Sequence, residues 1–176
     1  MLKLRHPVLL FSLLLLAACA SNQGLDMAAL QQAEITNFRA PQGSVLSSGQ
    51  PSQQQLEVMA ASGVKHVVNL RTASEEVDFN EQAAVEALGM HYHSIPVSGV
   101  AGINSENAAR LQSILAEAEG QPVLVHCATG NRVGGLMAVN HFRNGADVDA
   151  AISEGARWGM TSERLQGAVR ESLEND

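Results

Sequence analysis

Short apolar runs recur along the chain and are separated by longer segments with apolar residues at helical spacing. Val64, Val67, Val68 and Leu70 make the clearest run. Met90 to Val97 and Pro122 to His126 follow. Runs of this length suit strands buried on both faces. Pro41 to Gly49, with Val45 and Leu46 as its apolar part, predicts a further strand and turn. Between these runs, Ser52 is placed to cap a helix through Ser62, closed by Gly63. Glu75 to Leu88, Ser105 to Glu119 and Val133 to Asn144 predict three more helices, each followed by glycine. Met27 to Phe38 suggests a loose helix, and Asp147 to Trp158 and Ser162 to Leu173 two final ones. This alternation predicts an α/β fold, a central, mainly parallel sheet of about four to five strands with helices on both faces.

Ligands of such sheets sit outside the carboxyl ends of the strands. Arg71 follows Leu70 at one such end, Ser98 follows Val97 at another, and Cys127 follows His126 at a third.

The first residues read differently. Lys3, Arg5 and His6 precede an apolar run from Val8 to Ala18, the pattern of a signal segment and short for a bilayer span. It ends Leu16-Ala17-Ala18-Cys19, which resembles the bacterial lipobox, in which the cysteine is lipidated and becomes the new N-terminus. An ordinary signal peptide cut near Ala18 or Ala20 is the alternative. The expected organisation is a lipoprotein signal peptide over 1–18, a lipidated tether over 19–28 and one domain over 29–176. Ala20 rather than Asp after Cys19 favours, by resemblance to sorted lipoproteins, a periplasm-facing place on the outer membrane over the inner one. The membrane contact is then the lipid on Cys19.

The net charge of −7 becomes −9 once Lys3 and Arg5 are removed, leaving nine basic against eighteen acidic side chains. That balance, with only 3% aromatic residues, argues against nucleic-acid binding. No Gly-x-x-x-x-Gly-Lys-Ser/Thr loop occurs, which excludes an ATP-binding P-loop. With Cys19 lipidated, Cys127 is the remaining thiol.

The chemistry concentrates in His126-Cys127-Ala128-Thr129-Gly130-Asn131-Arg132, between a strand and a helix. The backbone N–H groups of Ala128, Thr129, Gly130, Asn131 and Arg132 can turn inward as a nest around a phosphate, with the positive end of the following helix behind them. Arg132 adds a bidentate guanidinium. The same surroundings favour the thiolate of Cys127, which can attack phosphorus and form a cysteinyl-phosphate. His126 would orient the loop, and Arg71 could add positive charge to the phosphate pocket. A buried structural cysteine in a turn is the alternative. Gly134 and Gly135 imply close packing of the helix against the sheet.

This loop, continued by Val133-Gly134, resembles the active-site loop of the protein-tyrosine-phosphatase superfamily, closest to the bacterial phosphatase-like family related to beta-lactamase-hydrolase-like proteins. Ser48-Gly49-Gln50-Pro51, Gly63 to Arg71 and Ile95-Pro96-Val97 extend the resemblance over residues 35 to 145. It implies Cys127 as nucleophile and Arg132 as phosphate binder. Four residues separate Cys127 from Arg132 where the superfamily usually has five, and Val133 stands where Ser or Thr is usual. The shorter spacing also resembles rhodanese sulfurtransferases.

A leaving-group acid is harder to find. In the superfamily an Asp commonly lies on the loop after the third strand, but Ser98 to Asn104 contains no carboxylate. Glu106 is the nearest, and Glu75, Glu76 and Asp78 could reach the crevice from the other side. Without an acid, phosphotyrosine or small aryl phosphates are favoured over alkyl esters. His91 and His93 alternate on one strand without a carboxylate or Cys to complete a metal set, His66 stands alone, and no metal or organic cofactor is implied. Three readings stay open: a cysteine-dependent phosphatase acting on a phosphorylated protein or small molecule, a sulfurtransferase carrying a persulfide on Cys127, and a phosphate-binding module with little catalysis.

Overall fold

A computed structural model describes residues 24–175. The chain runs through α1 (Met27–Gln32), β1 (Arg39–Gln42), β2 (Val45–Ser48), α2 (Gln53–Ala61), β3 (His66–Asn69) and α3 (Glu81–Ala87). It continues with β4 (His91–Ser94), α4 (Ser105–Glu117), β5 (Val123–His126), α5 (Asn131–Arg143), α6 (Val148–Arg157) and α7 (Glu163–Glu174). Five strands form one sheet in the order β1-β2-β5-β3-β4, parallel except for the β1–β2 hairpin.

The strand residues alternate between two cores because successive side chains leave opposite faces of a strand. Val67 and Leu124 join Leu46, Leu56, Met59 and Val85 beneath α1, α2 and α3. Val68, Val123 and Val125 join Leu111, Leu136, Met160 and Val169 beneath α4 to α7. All four residues of β5 are buried, as befits the middle strand. The α/β fold, the parallel sheet and the Cys loop between the last strand and a helix are therefore as the pattern predicts.

The helix starts obey local chemistry. Ser52 caps α2 in a reciprocal box with Gln55, and Asn80, Asn104, Asp147 and Ser162 cap α3, α4, α6 and α7.

Three expectations need correction. The helix expected from Glu75 begins only at Glu81, since Asn80 accepts from the Ala83 amide and caps it there. Residues 72–80 are consequently a loop. The helix expected to reach Phe38 stops at Gln32, because Glu34 and Asn37 take left-handed conformations at φ 50° and 49°. Finally, Gly134 and Gly135 pack against something other than the sheet. A Cβ at Gly134 would strike Gly155 O and lie 2.5 Å from Met160 N, and one at Gly135 would lie 2.8 Å from Ile103. The two glycines let α5 approach α6 and the loop before α4. The expected signal segment and Cys19 lie outside the described residues, and α1 starts within the stretch expected as tether.

Candidate active site

The cradle forms where β5 gives way to α5. Cys127 is buried, and the Gly130 N–H donates to its Sγ at 3.1 Å. Gly130 caps α5 at φ 83°, a conformation glycine takes without steric cost. No side chain caps this helix end, so the first amides of α5 have no capping side-chain acceptor.

Arg132 stands in the first turn of α5. Its Nη1 donates to Glu75 Oε1 at 2.7 Å and to Val97 O at 2.9 Å, and its Nη2 donates to Glu75 Oε2 at 2.6 Å. The Arg132 guanidinium holds the Glu75 carboxyl at about 2, well below its ordinary value. Glu75 is thus an anion at neutral pH.

Arg71 lies on the other side. Its Nη1 donates to Gln50 Oε1 at 2.5 Å and its Nη2 to the carbonyls of Glu75 and Glu76 at 2.8 Å each. It fixes the loop that carries Glu75.

His126 is fully buried beneath the cradle, with Nε2 3.1 Å from Glu81 Oε1. Glu81 also accepts from Gln50 Nε2 at 2.7 Å and from Asn69 Nδ2 at 2.6 Å. Burial opposes its charge, but His126, Gln50 and Arg71 outweigh that and keep the carboxyl below its ordinary value. Hydrogen bonds on Glu81 therefore join β3, α3 and the segment after β2 under the Cys loop, with His126 of β5 in close contact.

Two clefts flank the loop. One, of about 590 Å³, is lined by Thr129, Asn131, Arg132, Glu75, Ser98, Val100, Arg164 and Leu165. The other, of about 600 Å³, is lined by Ala128, Gln50, Arg71, Glu76, Val77 and Asp78. Val100 and Val77, the exposed large hydrophobic residues among those described, lie one on each cleft.

The structure thus gathers Cys127, His126, Arg132 and residues 128–131, and sets Arg71 beside Ala128. Glu76 and Asp78 share the Arg71 cleft, while Glu106 is exposed in the first turn of α4 and lines neither. Glu81, Gln50 and Asn69 were not anticipated, nor was the pairing of Glu75 with Arg132. The one available signal was Asn80, whose preference for helix caps would have released 72–79 as a loop.

His66 does not stand alone. Its ring stacks on His91 with centroids 4.9 Å apart, and its Nδ1 lies 3.1 Å from His93 Nε2. Among the described residues no three His, Cys, Asp or Glu side chains are arranged to hold a metal ion.

Residues 27–172 match the family described as DSP-PTPase phosphatase fused to NAD+ kinase. The chain belongs to this phosphatase family. A beta-lactamase hydrolase-like protein of Xylella fastidiosa (strain Temecula1 / ATCC 700964) is 34% identical over 102 residues, covering 56% of this chain. The chain spans about a quarter of that relative's length, the match covering 23% of it. Solved structures share the family's fold. A Neisseria meningitidis Z2491 protein assigned as a phosphatase superposes with TM-score 0.65 at 24% identity, covering 79% of this chain and 97% of that one. The core catalytic domain of the PP-IP phosphatase SIW14 from S. cerevisiae superposes with TM-score 0.59 at 19% identity, covering 79% and 89%. The resemblance to the tyrosine-phosphatase superfamily is thereby borne out.

Proposed function

We propose that the protein hydrolyses phosphate monoesters, phosphotyrosine and other aryl phosphates foremost, through a cysteinyl-phosphate on Cys127. The observation that supports this most directly is the Gly130 N–H on Cys127 Sγ at 3.1 Å, at the head of the helix that carries Arg132. The thiolate attacks phosphorus in line, forming the S–P bond as the ester P–O bond breaks. Arg132 and the amides of residues 128–132 hold the non-bridging oxygens. Water then attacks phosphorus, and the S–P bond breaks to return the thiolate and inorganic phosphate. His126, held by Glu81, fixes the loop from below.

The preference for aryl esters follows from the acids within reach. Glu75, held at about 2, has no proton to give at neutral pH. The loop Ser98 to Asn104 has no carboxylate. Glu76 and Asp78 on the Arg71 cleft remain the candidates for the role. A phenol, with a pKa of about 10, leaves without full protonation more readily than an alkyl alcohol. Val100 and Leu165 offer an apolar wall for a ring.

The test is hydrolysis of an aryl phosphate under reducing conditions, beside Cys127→Ser and Arg132→Ala. Turnover that is blocked by vanadate and lost in both variants supports the reading. Folded wild-type protein with a free thiol and no turnover overturns it, and phosphate binding without turnover would make the domain a binding module.

The reading extends to location. Lipid on Cys19 would hold the domain at the periplasmic face of the outer membrane, supported by Leu16-Ala17-Ala18-Cys19 after an apolar run. Labelled palmitate should enter the wild-type chain and not Cys19→Ala.

A further inference from the structure

Asn37 lies in the turn between α1 and β1, far in sequence from the cradle, yet its side chain reaches it. Its Nδ2 donates to Thr129 O at 2.8 Å and to Gly159 O at 2.8 Å, so both amide hydrogens have carbonyl acceptors. The residue is left-handed at φ 49°, a conformation asparagine tolerates. Its turn is tied down by the Gly49 N–H, which donates to Thr36 O at 2.7 Å. Asn37 also packs closely on the loop: a Cβ at Gly130 would lie 2.6 Å from its Nδ2.

The Thr129 carbonyl and the Gly130 N–H belong to one planar peptide and point in opposite directions. Holding the carbonyl on Asn37 therefore holds the N–H on Cys127 Sγ, where it is found at 3.1 Å. If that peptide rotated, a carbonyl oxygen would face the sulfur and any bound phosphate, and would repel both. Glycine at 130 makes such a rotation sterically easy, so the orientation has to be set from outside the loop.

We propose that Asn37 is a positioning residue that sets the Thr129–Gly130 peptide for anion binding and for the Cys127 thiolate. This rests on reading the Cys loop as a phosphate cradle. The other charged and titratable groups around Cys127 are His126 from β5, Arg132 from α5, Arg71 and Glu75 from the loop after β3, and Glu81 from α3. All of them are retained when Asn37 is replaced.

The test uses Asn37→Gly, which keeps the left-handed backbone and removes the amide, and Asn37→Asp, which sets a carboxylate against two carbonyls. Inorganic phosphate binding should weaken about tenfold in Asn37→Gly, the loss of one hydrogen bond to a charged group, and more in Asn37→Asp. Iodoacetamide should alkylate Cys127 more slowly than in wild type at mildly acidic pH, where the thiolate fraction limits the rate, and equally fast at alkaline pH. Wild-type phosphate affinity and alkylation in both variants would overturn the proposal, as would a lowered melting temperature with both unchanged. If wild-type protein binds no phosphate, the phosphatase reading falls, while the ratio of alkylation rates still decides the role of Asn37.

Discussion

Arg132 and Glu75 meet end-on, Nη1 to Oε1 at 2.7 Å and Nη2 to Oε2 at 2.6 Å. The pair lies in the cleft beside the Cys loop and joins α5 to the loop before α3. Two parallel charge-assisted bonds fix the plane of the guanidinium as well as its position. Glu75 therefore orients the group that would bind phosphate, and Arg132 keeps Glu75 from acting as an acid.

Acid titration should expose this pair. The Glu75 carboxyl is at about 2 in the fold against an ordinary 4.5. Its contribution is complete above about 4.5 and is lost as pH falls toward about 2. Melting temperatures of wild type and Glu75→Gln should therefore converge as pH falls through this window. A gap that stays constant over the same range would show that the pair contributes nothing.

Arg132→Lys keeps the charge and removes the fork. A lysine cannot hold two oxygens of phosphate and both oxygens of Glu75 in one plane. Aryl phosphatase kcat/KM should fall about 10²-fold, the usual scale for a lost oxyanion donor. Steady-state kinetics would check this, with Arg132→Ala falling at least as far.

Two glycine substitutions should act in opposite directions. Gly134→Ala would press a methyl group on Gly155 O and Met160 N. Overpacking of this kind costs about 1–3 kcal/mol. Gly167→Ala, inside α7 with nothing within 4 Å of the new atom, should stabilise by up to about 1 kcal/mol. Urea unfolding of both variants would show opposite signs, and equal shifts would refute the packing argument.

The histidine stack should make stability fall on mild acidification. Burial and the neighbouring His91 and His93 push His66 below its ordinary value near 6.5, and burial and His91 do the same to His93. The fold favours the neutral rings, so the unfolded chain binds protons first as pH falls below about 6.5. His93→Gln should lose less melting temperature than wild type between about pH 7 and 5. Parallel curves for the two proteins would exclude the stack as the source.

The local pattern was enough for much of the fold. Buried runs such as Val67-Val68 and Val123-Leu124-Val125 marked strands, and Ser52, Asp147 and Ser162 marked helix starts, because both signals act over a few residues. The Cys loop was legible for the same reason, with nucleophile, glycine and arginine within six consecutive positions. Where local signals competed, reading failed: Glu75 to Leu88 has helical composition throughout, and Asn80 divides it.

The sequence by itself determined an α/β sheet, a strand-to-helix cradle and the residues in it, since backbone geometry and side-chain period are local properties. Only the tertiary structure decided that Glu75 would face Arg132, that Glu81 would sit under His126, that His66 would join His91 and His93, and that Asn37 would reach Thr129. Each of these contacts links positions far apart in the chain. Hydrogen bonds and ion pairs between such positions depend on strand order and helix packing, which the whole core settles together and which no short window of residues records.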